Sequence, residues 1–149
     1  MSFAVAAAKP KLSTERPGQL EADIEIQKGD WPVIKSSHVR EILRLPGTVT
    51  NERLVECLTN AVYAVNDQLS AWRSANPQSL DECQSDLYLR AVYFYAQAEL
   101  YERYLDVDAS ASAQRRAEDY DSMAEDARRV HRWAVRDFLG LPRLVVEAL

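Results

Sequence analysis

From Thr50 onward, apolar residues recur at spacings of three and four. Leu54, Leu58, Val62, Val65, Leu69 and Trp72 draw one stripe, which predicts a long helix with a single buried face. Thr50 stands where an N-cap is needed, and Asn76-Pro77 ends the run. Ser79 with Glu82 reads as a capping box opening a second long helix, whose stripe is Leu87, Ala91, Phe94, Ala98, Tyr101 and Leu105. A last helix is predicted to begin between Ser110 and Gln114 and to run to about Leu139, burying Tyr120, Met123, Ala127, Val130, Ala134 and Phe138. Gly140 then sits at C′, where the left-handed conformation stops a helix. A shorter helix from about His38 to Leu45 is capped by Ser36 or Ser37 and closed by Pro46-Gly47. Successive helices with matching apolar faces and short turns predict an all-α fold, a bundle of about four helices.

The two ends read differently. Pro10, Pro17, Pro32, Gly18 and Gly29 interrupt any helical period, so residues 1–35 are expected to form an extended N-terminal arm. Within it Asp23-Ile24-Glu25-Ile26 alternates like a strand with one covered face. The bundle is assigned to residues 36–139 and a C-terminal docking tail to residues 140–149. Because the arm carries none of the helical stripes, a core lacking residues 1–30 is expected to remain folded. In the tail, Leu144, Val145 and Val146 favour extended backbone, and a lone strand leaves its donors and acceptors unpaired. Its expected partner is the strand carrying Ile24 and Ile26, in the same or an adjacent subunit, or an edge strand of another protein reached by strand addition.

Composition narrows the picture. The chain of 149 residues is long enough for one domain, and 47% hydrophobic with 28% charged residues is ordinary for a soluble protein. A net charge of −5 argues against a globally basic DNA wrapper. Cys57 and Cys83 stand alone, without Cys-x-x-Cys spacing, and read as reduced cysteines. No apolar run approaches a membrane span of about 18 residues. The apolar opening from Met1 to Ala8 lacks a preceding positive region, so the expectation is a protein made and kept in the cytoplasm of the producing cell.

Candidate chemistry changes little. Asp106-Val107-Asp108-Ala109-Ser110 superficially matches the start of a calcium loop, but Ala111 and Ala117 stand where Gly and Glu are required. Helix capping by Asp108 or Ser110 is the simpler role. His38 and His131 have no ligand or catalytic neighbour in sequence, and no phosphate loop, nucleophile elbow or zinc motif occurs. Neither an active site nor a cofactor or metal is expected. Arg128, Arg129, Arg132 and Arg136 follow Glu118, Asp119, Asp121, Glu125 and Asp126 along one helix, an order that suits the helix dipole. Salt bridging is the favoured use of these arginines; a nucleic-acid patch is the sharper one, and it supports a runner-up reading as a small helical nucleic-acid-binding regulator. Tyr88, Tyr95 and Tyr104 fall off the apolar stripe and are expected to point elsewhere, at least one of them into an interface.

The stretch Leu100-Tyr-Glu-Arg-Tyr-Leu-Asp-Val-Asp-Ala-Ser-Ala-Ser112, answered by Arg132-Trp133-Ala134-Val135 and Gly140-Leu141-Pro142-Arg143, resembles the head completion (head stabilisation) proteins of temperate contractile-tailed phages. A weaker echo lies in Trp31-Pro32-Val33-Ile34 and Val39-Arg40-Glu41-Ile42-Leu43-Arg44-Leu45. The resemblance implies a mostly helical, non-enzymatic connector subunit that joins a homo-oligomeric ring, commonly of twelve copies, beneath the portal of a DNA-filled capsid. It implies the portal protein and the next neck or tail-terminator protein as partners, genomic DNA passing through the channel without sequence-specific binding, no membrane, and a place in the virion neck. Asp106, Asp108, Ser110, Arg132, Arg136, Arg143, Leu144, Val145, Val146, Ile24 and Ile26 are the residues expected at subunit or portal interfaces.

Overall fold

Helix α4 (Glu82–Tyr104) is the centre of the fold and is engaged on several sides, which is why its apolar residues do not keep to one stripe. The computed structural model describes residues 22–104 and 111–143. Along one flank of α4 runs α2 (Asn51–Gln68), and along another runs α5 (Ala111–Phe138). Both are antiparallel to it. Asn66 meets Tyr88 while Asn60 meets Glu99 and Glu56 meets Arg103, so numbers rise in α2 as they fall in α4. In the same way His131 meets Ala91 while Arg128 meets Glu102. The predicted all-α bundle is the observed one.

Residues 22–35 complete the core instead of standing off it. β1 (Glu25–Ile26) pairs antiparallel with β2 (Ile34–Lys35), Glu25 opposite Lys35 and Ile26 opposite Ile34. One edge of β1 is thus taken by the chain's own β2, while the tail expected to pair with it lies outside the described residues. Ile26, Trp31 and Ile34 are buried among the helices. The indole of Trp31 stacks on Tyr88 at 4.7 Å and lies 6.1 Å from Phe138, whose other edge meets Trp72 at 4.7 Å. One aromatic cluster thus joins the hairpin, α3 (Ser70–Ala75), α4 and α5. The sequence pattern could not show this, because a single Trp between turns has no period.

Capping differs in detail from the expectation. Helix α1 (Ser36–Leu43) receives its cap from the strand side: Asp23 Oδ1 accepts Ser37 N at 3.0 Å and the Ser36 hydroxyl at 3.1 Å, while Ser36 Oγ accepts Ile24 N at 2.9 Å. These bonds hold the Asp23 carboxyl below the usual range, the backbone bond from Ser37 contributing most. Thr50 does cap α2, accepting Arg53 N at 3.4 Å. The capping box of α4 is formed by Asp81 and Gln84, which exchange bonds of 2.7 and 3.1 Å, two residues later than Ser79 and Glu82. The long stripe from Leu54 to Trp72 is interrupted at Leu69, so a short α3 follows α2 and five helices stand among the described residues.

Burial follows contact with α4. Leu54, Leu58, Val62, Val65 and Leu69 are fully buried, as the stripe predicts. Tyr88, expected to point away, is 1% exposed and donates its hydroxyl to Asn66 Oδ1 at 2.7 Å. Met123, expected in the core, is 46% exposed, because α5 there meets α4 through the small Ala124 and Ala127.

Candidate functional site

Among the described residues, the outward face of α5 near its end brings charged and aromatic groups together. Gly140 takes φ +68°, its N–H reaches Asp137 O at 3.2 Å, and Leu141 N reaches Arg136 O at 2.9 Å. This paired closure turns the chain back along the helix. The turn is then clamped: Arg136 Nε donates to the Pro142 carbonyl, and Arg143 grips Asp137 with Nε to Oδ1 at 3.1 Å and Nη2 to Oδ2 at 2.7 Å. The Arg143 fork holds the Asp137 carboxyl below the usual range and raises its own guanidinium in return. Trp133 lies between two cations, with Arg129 at 5.4 Å and Arg143 at 4.8 Å from its ring.

The remaining arginines mostly pair. Arg128 Nε donates to Glu102 Oε1 at 3.0 Å, and Arg129 to Asp126 Oδ1 at 2.7 Å. Arg132 is exposed and makes no hydrogen bond or ion pair among the described residues. Of the residues expected at interfaces, Arg136 and Arg143 thus meet in one clamp with Arg132 on the same helix. Ile24 and Ile26 lie in the hairpin, where Ile26 is turned into the core and Ile24 O accepts Ser36 N at 2.9 Å. Asp106, Asp108, Ser110, Leu144, Val145 and Val146 lie outside the described residues, as does the side chain of Tyr104.

On the hairpin side an open cleft of about 490 Å³ is walled by Trp31, Pro32, Val33, Pro77 and Leu80. Arg73 stands at its edge, fixed by donating to Gln78 O at 2.9 Å and Asp30 O at 3.2 Å with its guanidinium 5.2 Å over Trp31. Sequence reasoning missed both Arg73 and this use of Trp31. The available signal was the Trp31-Pro32 pair after Gly29-Asp30, a turn carrying a large aromatic that must find cover.

The titratable groups inside are tied to packing. His131 is buried, with Nδ1 2.8 Å from Ala91 O and Nε2 3.3 Å from Gln68 Nε2, so its Nδ1 carries the proton and its Nε2 accepts from the amide. Burial, aided by the charges of Arg132 and Arg128, lowers its pKa. His38 Nδ1 meets the Tyr93 hydroxyl at 2.7 Å and ties α1 to α4. Burial, with the Glu99 charge beside it, pushes the Cys57 thiol up to about 12, far from the thiolate needed for reactivity. Among the described residues no group of three His, Cys, Asp or Glu side chains could hold a metal, and no helix is long and apolar enough to cross a membrane.

Among the described residues the outward features of the bundle are a clamped, charged helix end and an open cleft of mixed polar and apolar lining. The chain belongs to the phage head completion protein (GPL) family, whose model matches residues 26–149. No curated protein matches it, and no solved structure does. The family is structural and acts in completing the phage head, which brings such a protein into contact with other head and tail proteins.

Proposed function

We propose that this chain is the repeating subunit of a connector ring, commonly of twelve copies, lying beneath the portal in the virion neck. There it completes and stabilises the DNA-filled head and offers a platform to the next neck or tail-terminator protein. The observation that carries this reading is the family match, which spans the bundle and both candidate surfaces. The clamp supports it physically. A tail held by Arg136 and Arg143 at a fixed point spends less ordering entropy on meeting a partner than a free one. The structure weakens the regulator reading, since Arg128, Arg129, Arg136 and Arg143 each have a partner within the chain and so have less to offer phosphates.

Native mass spectrometry of the full chain, alone and with the purified portal, tests the proposal. A closed oligomer or a portal-bound ring is expected. A chain that stays monomeric at every concentration, does not bind portal, and retains DNA in a salt-sensitive way would replace the connector reading with the regulator one.

A further inference from the structure

We infer that the cleft beside Trp31 is the seat for residues 144–149 of a second copy of this chain. The inference rests on the ring reading and names one of its contacts. Two independent features lead to it.

The first is direction. At about 100° per residue, Trp133 and Arg136 lie roughly 140° and 160° around α5 from Phe138. Phe138 faces inward to Trp31 and Trp72, beside the cleft of its own chain. The clamp formed by Arg136, Asp137 and Arg143 holds Pro142 and Arg143 against the opposite, outward face. Arg143 therefore hands on the chain pointing away from its own cleft. A neighbour whose cleft faces that outward side would meet it head to tail, the kind of contact that closes a ring when the rotation closes.

The second is chemistry. Residues 144–149 read Leu-Val-Val-Glu-Ala-Leu, apolar with one acidic side chain. The cleft has a mixed lining: Trp31, Pro32, Val33, Pro77 and Leu80 give apolar contact beside the polar Gln27, Ser79 and Ser85, and Val33 is 38% exposed, large for a valine beside a tryptophan. Arg73 is held in place by two carbonyls and an indole face, leaving guanidinium N–H groups to spare for Glu147. Asp30, also on the rim, disfavours a second carboxylate at that end. At about 490 Å³ the cleft has the size of sites that hold a few apolar side chains.

The full chain carrying Cys83→Ser, Ser79→Cys and Val146→Cys is the test, because Ser79 is exposed on the cleft rim and Cys57 is buried. Native mass is measured first, to report assembly separately, and mild oxidation follows. Covalent multimers are expected on a non-reducing gel. Oligomers that form without cross-links overturn the docking and leave the ring standing; a cross-link within the monomer overturns docking between copies. If the chain alone forms no oligomer, the ring reading passes to the portal-binding measurement, and a labelled peptide of residues 143–149 decides the docking. Saturable binding to the full chain, at least tenfold weaker with Val33→Asp, upholds it. Lack of binding, or binding that Val33→Asp leaves unchanged, overturns it.

Discussion

Replacing Trp31 by Ala tests whether the hairpin belongs to the core. Trp31 is 7% exposed, stacks on Tyr88, touches Phe138 and carries Arg73 on its face. Truncating a large buried aromatic costs about 3–5 kcal/mol, a sum that includes lost burial and the cavity left behind. The displaced Arg73 loses a cation–π contact worth about 0.5–1 kcal/mol, so the upper half of that range is expected. Against a total stability of about 5–15 kcal/mol this is a large fraction. For a chain of this size it corresponds to a fall of very roughly 6–20 °C in Tm. Urea denaturation followed by far-UV circular dichroism gives the free energy, with Val33→Ala as a neighbouring control expected within about 0.5 kcal/mol of the parent. A loss below about 1.5 kcal/mol for Trp31→Ala would refute the reasoning, since it would mean that the aromatic cluster holds no more than surface contacts do. The same logic revises the expectation for deleting residues 1–30: losing Asp23 and Ile26 should lower the melting temperature of the bundle, and an unchanged melt would restore the free-arm reading.

Leu58→Ala should cost about 2–5 kcal/mol in the same assay, whereas Phe94→Ala, partly exposed on α4, should fall at or below the lower end of the range for aromatic truncation. Equal losses would contradict the burial pattern. His131 makes stability depend on pH: the unfolded chain takes up a proton near 6.5 while the folded chain keeps the ring neutral, so stability is full above that pH and declines below it by up to about 1.4 kcal/mol per unit until the lowered folded value is reached. His131→Gln should flatten that slope between pH 7 and 5, and unchanged slopes would show that the ring is not held neutral. Asp23→Ala should lower the melting temperature at neutral pH but not below the depressed Asp23 pKa, because the bonds it accepts need the carboxylate and are lost as pH falls through that value. A difference between the two proteins that persists unchanged into acid would reassign its cause to the bare backbone of α1.

Helices that bury one stripe were legible in the sequence, and those that meet several neighbours were not. The Leu54 to Leu69 series works because α2 offers a single face to the core. In α4 the period blurs: Tyr88, Tyr93 and Val92 are all buried because different elements cover them, and Tyr88 is tolerated inside only because Asn66, on another helix, receives its hydroxyl. Met123 misled for the opposite reason, as its apolarity says nothing about where α5 lacks a neighbour. The stop at Gly140 was readable, yet the clamp was not. Asp137 and Arg143 are too far apart for a helical pair and meet only because the chain reverses between them. Arg136 likewise reads as a dipole-compensating cation until Pro142 is folded back onto it.

The contact between Trp31 and Phe138 also orders events in time. On the ribosome the hairpin emerges first and Phe138 only after α2, α3 and α4, so the aromatic cluster stays open until α5 has been made. Closing so long a loop is a late and slow step in folding. A chain still lacking α5 therefore cannot settle Trp31 fully, nor fix the cleft wall that Trp31 forms. Copies in which α5 has docked are the ones whose Trp31 is covered by Phe138 and whose cleft wall is set.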